Sequence, residues 1–188
     1  MFMHNKELNI MSINNILMDT ESLSDTISRI SHNIAKDIKN SKKINFVGIR
    51  TRGNIIAERI LKEIKKQLNV DIPLGVLDIT LYRDDFRTKD NWPKLEQSTI
   101  DFDINGKDVI IVDDVIYTGR TARAAIEAIM DYGRPSSIKL VALIDRGNRE
   151  LPIQPDYVGL KINTLPENRV NVYLKEMDSR EEVVIDKN

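Results

Sequence analysis

The sequence predicts an α/β protein with a central, mainly parallel sheet flanked by helices and a small lid or subdomain toward its C-terminus. Two observations carry this prediction. Ile44 to Ile49, Val109 to Val112 and Ile138 to Ile144 are short, continuous aliphatic runs of the kind buried on both faces of a parallel sheet. Around them lie segments whose apolar residues recur every three or four positions, the stripe of an amphipathic helix. With 188 residues, 41% of them hydrophobic, the chain can bury one core of single-domain size. No sequence period repeats, so the expected division is an N-terminal extension over residues 1–15 and one domain over 16–188.

Ile16 to Met18 reads as a short edge strand, with Thr20 as the cap of the helix that follows. In that helix Leu23, Ile27, Ile30, Ile34 and Ile38 make one stripe, while Arg29, His32, Lys36 and Lys39 occupy other faces. Next come the strand Ile44 to Ile49, a tight turn from Arg50 to Gly53, and a second helix marked by Ile56, Ile60, Ile64 and Leu68. Leu74 to Leu81 is expected to be a strand. Tyr82 to Gln97 is charged, contains Pro93 and sustains no apolar period, the pattern of a long mobile loop. After the strand Val109 to Val112, Thr121 to Tyr132 is a helix ended by Gly133 and Pro135, and Ile138 to Ile144 is the next strand. From Arg146 onward, Pro152, Pro155 and Pro166 separate short segments such as Tyr157 to Ile162 and Val170 to Leu174, which form the lid. Ligands of such a sheet gather at the carboxyl ends of its strands.

Composition removes several function classes. The 28 basic and 29 acidic residues leave a net charge of −1, so any surface for nucleic acid must be local. The absence of cysteine excludes disulfides, thiolate metal sites and cysteine nucleophiles, and two histidines, His4 and His32, are too few for a histidine-based zinc site. No apolar run reaches 18 residues, and Asn5, Glu7 and Asn9 stand where a signal peptide needs its apolar stretch, so a cytoplasmic protein without a membrane segment is expected.

The most informative segment is Val109-Ile110-Ile111-Val112-Asp113-Asp114-Val115-Ile116-Tyr117-Thr118-Gly119-Arg120-Thr121. A buried strand runs into two acids and then a hydroxyl-rich helix entrance. Helix N-terminal N–H groups, the Thr118 and Thr121 hydroxyls and the close approach that Gly119 permits suit a phosphate monoester. Asp113 and Asp114 suit a ribose diol, and their charge stabilises the cationic ribose that forms as a C1 substituent leaves. At a second strand end, Gly48-Ile49-Arg50-Thr51-Arg52-Gly53 can offer N–H groups and Arg52 to a pyrophosphate. In the long loop that opens with Tyr82-Arg83-Asp84-Asp85-Phe86, Arg83 can close over the same group and exclude water. No Walker phosphate loop is present.

The thirteen-residue segment closely resembles the phosphoribosyl pyrophosphate motif of type I phosphoribosyltransferases, and the Gly48 to Gly53 turn resembles the pyrophosphate loop of that family. The resemblance implies the type I phosphoribosyltransferase fold with a C-terminal hood over the base. It assigns Asp113 and Asp114 to the ribose, Thr118, Gly119, Arg120 and Thr121 to the 5′-phosphate, and Val115, Ile116 and Tyr117 to the substrate-binding segment between them. It also assigns Thr51 and Arg52 to pyrophosphate, Arg83 to the lid cation, and Arg146 with the backbone near Val170 to the base.

Several further runs narrow the resemblance to the subfamily that joins uracil phosphoribosyl transfer to attenuation of pyrimidine operons: Asp145-Arg146-Gly147-Asn148-Arg149-Glu150-Leu151-Pro152-Ile153, the Leu77 to Asp85 stretch, and Asp156-Tyr157-Val158-Gly159. The implied reaction converts uracil and phosphoribosyl pyrophosphate to UMP and pyrophosphate with substrate-bridged Mg2+. The implied assembly is a homodimer or higher oligomer. A messenger-RNA leader is the implied second partner, on a basic face bearing Ser28, Arg29 and His32 with Lys36, Lys39, Lys42 and Lys43 nearby. Asp37 departs from the base that the family tends to carry, and Asn163 to Arg169 departs from its usual stretch after the hood. The shared motif also admits a purine phosphoribosyltransferase, or an RNA-binding regulator with little catalysis.

Overall fold

The computed structural model describes residues 15–38, 43–82 and 97–187. In chain order these form β1 (Asn15–Met18), α1 (Thr20–Ile38), β2 (Ile44–Ile49), α2 (Gly53–Leu68), β3 (Leu74–Leu77), β4 (Asp108–Ile116), α3 (Arg120–Met130), β5 (Ser137–Asp145), β6 (Tyr157–Lys161), β7 (Asn168–Tyr173), α4 (Lys175–Asp178) and β8 (Glu182–Lys187). Five strands make a parallel sheet of order β3-β2-β4-β5-β6, and three make an antiparallel sheet of order β1-β8-β7.

The aliphatic strands supply both faces of the parallel sheet by alternation. Phe46, Ile110, Val112, Val141 and Leu143 join the core under α1 and α2. Val47, Val109, Ile111, Leu140 and Ala142 join a second core against Ala124, Ala125, Ala128 and Ile129 of α3. Strand residues one apart point to opposite faces, which is why uninterrupted apolar runs fit here and nowhere on a half-solvated sheet. The predicted stripe of α1 is buried from Leu23 to Ile38, as are Ile56, Ile60 and Ile64 of α2. Burying each such isoleucine contributes about 1.5–3 kcal/mol of transfer free energy.

Several boundaries differ from the sequence expectation. Thr20 is not the cap of α1: Asp19 Oδ1 accepts the Ser22 N–H at 2.9 Å and the Ser22 hydroxyl oxygen accepts the Asp19 N–H at 2.9 Å, a reciprocal box, while the Thr20 hydroxyl donates to the Glu181 carbonyl. The strand expected over Leu74 to Leu81 ends at Leu77, because Asp78 Oδ1 accepts from the Thr80 N–H at 2.9 Å and turns the chain into a short 3-10 helix over Thr80–Tyr82. The strand beginning near Val109 extends past Val112 to Ile116, since β5 pairs with it as far as Ile116 opposite Asp145. The helix expected over Thr121 to Tyr132 begins one residue earlier and ends at Met130. Lys39, Lys42 and the greater part of the Tyr82 to Gln97 loop, Arg83 included, lie outside the described residues.

The C-terminal segment is divided between two sheets. β6 extends the parallel sheet, whereas β7 and β8 pair with β1, setting Ile16 opposite Val184 and Val170 opposite Ile185. Val172, Leu174 and Val183 anchor this hood in the α1 and α2 core. Arg59 of α2 adds two ion pairs, to Glu176 at 2.7 Å and to Glu181 at 2.8 Å.

Candidate functional site

The carboxyl ends of β2 and β4 open into one cavity of about 340 Å³. Its wall brings together Thr51 and Arg52 from the turn after β2, Asp113 and Asp114 from β4, and Thr121 from the first turn of α3. Segments more than sixty residues apart in sequence therefore share a wall, because β2 and β4 are hydrogen-bonded neighbours with Gly48 opposite Val112. The two acids continue β4 rather than following it. Asp113 is 7% exposed and its Oδ1 accepts the Asp114 N–H at 3.0 Å, while Asp114 Oδ1 accepts the Val115 N–H at 2.9 Å.

Beyond the acids the chain turns at Gly119, whose φ of +92° lies in the left-handed region that glycine enters without strain. Gly119 is the residue that caps α3, and no side chain caps that helix end through a hydrogen bond. Thr118 contributes a long contact, its hydroxyl oxygen 3.4 Å from the Arg120 nitrogen. A helix start of this kind presents N–H groups and the positive end of the helix dipole to an anion. Arg120 itself points outward to Glu150 at 2.7 Å.

The segment after β5 clamps this turn from outside. The Thr118 carbonyl accepts the N–H groups of Glu150 and Leu151. Arg149 spends its guanidinium on the carbonyls of Tyr117 at 2.7 Å, Gly147 at 3.0 Å and Ile153 at 2.9 Å and on the Asp145 carboxylate at 2.7 Å. Arg146 is buried, with Nε donating to the Thr164 hydroxyl at 3.0 Å and Nη2 to the Asn168 carbonyl, and its guanidinium carbon stands 4.2 Å from the centroid of the Tyr117 ring. It is thus a joint between the turn before α3 and the C-terminal segment rather than a surface cation. Val170 sits half-buried on β7 and packs against the core.

Sequence reasoning missed Asp78 and Thr80, which line the same cavity from the end of β3. The Asp-x-Thr spacing after an aliphatic strand was the available signal, since it is the pattern of an Asx turn. It also missed Asp178, whose Oδ1 accepts from Arg52 Nη2 at 3.0 Å across 126 positions of sequence. No local pattern could have found that pair.

The described residues that flank positions 83–96 are each held by an arginine. Arg50 Nη2 donates to the Gln97 carbonyl at 3.0 Å, and Arg123 Nη2 donates to the Tyr82 carbonyl at 2.9 Å. The Tyr82 hydroxyl donates to Asp131, a bond that holds its phenol pKa up at about 12.

On α1, Ser28, Arg29 and His32 are exposed on one side of the helix. Arg29 Nη2 donates to the Gly159 carbonyl, and His32 Nδ1 lies 3.2 Å from Gln67 Oε1. Asp37 has a local use: its Oδ2 accepts the Tyr157 hydroxyl at 2.7 Å, and burial together with that bond raises the Tyr157 phenol pKa.

Among the described residues no group of three or more histidine or acidic side chains could hold a metal ion, and no helix is long and apolar enough to cross a membrane. The acidic groups that β4 places at the cavity are Asp113 and Asp114. That set fits Mg2+, which keeps waters and takes most of its ligands from substrate oxygens.

Comparison with known proteins gives a consistent result. The family model for the phosphoribosyl transferase domain matches residues 14–177. The curated bifunctional protein PyrR of Listeria monocytogenes serotype 4b is 48% identical over 173 residues, covering 90% of this chain and 94% of that one. The bifunctional protein PyrR of Alkaliphilus metalliredigens is 48% identical over 170 residues, with 90% and 93% covered. Among solved structures, the hypoxanthine phosphoribosyltransferase of Trypanosoma cruzi superposes with a TM-score of 0.69 at 19% identity, over 92% of this chain and 96% of that one. A hypoxanthine-guanine phosphoribosyltransferase from Bacillus anthracis gives 0.69 at 18% identity, with 95% and 100% covered. These structures share the fold.

Proposed function

The chain belongs to the phosphoribosyl transferase family, and on that premise we propose that it transfers the phosphoribosyl group of phosphoribosyl pyrophosphate to uracil, forming UMP and pyrophosphate. The observation that carries the reading is the shared cavity at the ends of β2 and β4, where two acids, a pyrophosphate-type turn and an uncapped helix start converge. The choice of uracil is supported by the Asp145 to Ile153 run and by curated relatives at 48% identity, whereas the purine-transferring structures are alike at 18–20%.

In this reading the 5′-phosphate lies on the N-terminus of α3, held by its N–H groups and by Thr118 and Thr121. Asp113 and Asp114 accept hydrogen bonds from the ribose hydroxyls, and their charge faces the ribose as positive character develops at C1. Thr51 and Arg52 receive the departing pyrophosphate, Arg83 is the lid cation, and Arg146 with the backbone near Val170 borders the base. When bound, Mg2+ offsets the charge of the leaving pyrophosphate, with Asp113 and Asp114 as the protein's acidic groups toward it. Positioning and charge, with no covalent nucleophile, carry the catalysis.

Calorimetric titration with phosphoribosyl pyrophosphate and Mg2+ tests the site. One saturable site per chain is expected, and no heat of binding at millimolar ligand contradicts the reading.

A second role is proposed for the exposed side of α1: binding of a pyrimidine-operon messenger-RNA leader, strengthened by uridine nucleotide. It is supported by the common exposure of Ser28, Arg29 and His32 and by the curated relatives described as bifunctional. The cytoplasm is the proposed setting, and the proposed assembly is at least a homodimer.

A further inference from the structure

We infer that Asp178 is a positioning residue for pyrophosphate, holding the Arg52 guanidinium at the cavity from its place in the hood. The inference rests on the reading of the Thr51–Arg52 turn as the pyrophosphate site.

Asp178 is fixed on both of its oxygens. Oδ2 accepts the Leu174 N–H at 2.9 Å, and the Asp178 N–H donates back to the Leu174 carbonyl at 2.8 Å, so the carboxylate is part of the short α4 turn. Oδ1 is then left to accept Arg52 Nη2 at 3.0 Å. The α4 turn does not depend on Arg52 for its place. Its neighbour Glu176 is paired with Arg59 of α2, and Glu181 takes the other side of the same guanidinium. Asp178 is therefore an anchored acceptor against which the Arg52 guanidinium is oriented.

The geometry argues for support rather than sequestration. Arg52 lines the cavity while paired, and Asp178 does not, so the carboxylate stands behind the guanidinium as seen from the ligand. Arg52 Nε is buried and has no hydrogen-bond partner. A guanidinium that lines the cavity and is held in place at one nitrogen is prepared for a second, anionic acceptor, and the ligand need not order the side chain itself. Charge on an exposed, freely rotating arginine would lack that advantage. The pair also spans the molecule from the turn after β2 to the hood.

The test is calorimetric titration of the full chain with inorganic pyrophosphate and Mg2+, and separately with UMP, whose phosphate belongs on α3. Asp178→Ala is expected to weaken pyrophosphate binding about tenfold, the scale for losing one charge-assisted contact, with UMP affinity unchanged. Asp178→Asn keeps an acceptor oxygen and is expected to recover most of the loss. In an Arg52→Lys background, Asp178→Ala is expected to add little, because the two act as a unit. Glu176→Gln, which removes one of the two ion pairs of Arg59 and leaves the Glu181 pair and the Leu174–Asp178 turn in place, is expected to leave pyrophosphate affinity unchanged. Unchanged or tighter pyrophosphate binding by Asp178→Ala overturns the inference, as does an equal loss of UMP affinity or full additivity with Arg52→Lys. Wild-type protein that binds UMP but no pyrophosphate overturns the reading of the turn and the inference with it.

Discussion

Gly53 lies so close to Val112 that a Cβ at Gly53 would stand 2.3 Å from the Val112 carbonyl oxygen. The start of α2 is thus pressed against β4 at the residue immediately before Asp113. This contact sets the spacing between the Thr51–Arg52 turn and the acids Asp113 and Asp114.

Gly53→Ala is therefore expected to force the two elements apart. Overpacking against backbone costs about 1–3 kcal/mol, and the turn shifts relative to Asp113 and Asp114. Chemical denaturation should show the loss of stability, and steady-state assay a fall in turnover beyond it. An alanine variant with wild-type stability would refute the contact.

Asp113→Asn and Asp114→Asn retain the shape of the site and remove charge near the ribose. Folding should persist, while the rate falls about 10²-fold if the term matches one preorganised electrostatic contact. Circular dichroism and turnover measured on the same samples check both halves. Full activity in both variants removes these acids from the mechanism.

The fold was legible where a pattern is local. Continuous aliphatic runs marked β2, β4 and β5, and four-residue spacing marked α1 and α2, because burial on two faces and on one stripe leaves those periods. Side-chain competition for the backbone blurred the boundaries: Asp78 ended β3 early and Asp19 displaced Thr20 as the cap of α1. Of the candidate cavity, the lining residues Thr51, Arg52, Asp113, Asp114 and Thr121 were readable from their motifs. The pairing of β1 with β8, the Arg52–Asp178 bond and the Asp37–Tyr157 bond join residues more than a hundred positions apart, and no periodicity records them. The burial of Arg146 was not legible, since its partners Thr164 and Asn168 lie in a stretch without regular pattern.

The attachment of the hood should depend on acid pH. The Arg59 guanidinium holds the Glu176 carboxyl below its ordinary value of 4.5. A carboxyl with a depressed folded-state pKa contributes stability above its unfolded pKa and loses it as pH falls through the folded one. The stability difference between wild type and Glu176→Gln should accordingly be constant above about pH 5.5, a unit above that ordinary value, and shrink on acidification below 4.5. Denaturant midpoints across that range measure it, and a difference that grows with acid would contradict the pairing.

Arg29→Ala should weaken RNA binding and spare uracil turnover, since Arg29 lies on the exposed side of α1 and bonds to the Gly159 carbonyl. Affinity of the wild type for a pyrimidine-operon leader should fall steeply with salt as counterions are released, and turnover should change less. Uridine monophosphate should strengthen binding, and RNA should raise nucleotide affinity by the same factor. Filter binding at two salt concentrations with and without nucleotide reads all three. No preference over unrelated RNA at low salt removes the regulatory role.

The central claim is that the cavity between β2 and β4 transfers phosphoribose to uracil. The most direct measurement incubates the protein, Mg2+ and phosphoribosyl pyrophosphate with uracil, hypoxanthine, guanine or adenine in separate reactions and follows nucleotide formation. Turnover of uracil well above each purine is predicted, with pyrophosphate released in equal amount. Preference for a purine would contradict the substrate, and no turnover of any base would contradict the enzyme.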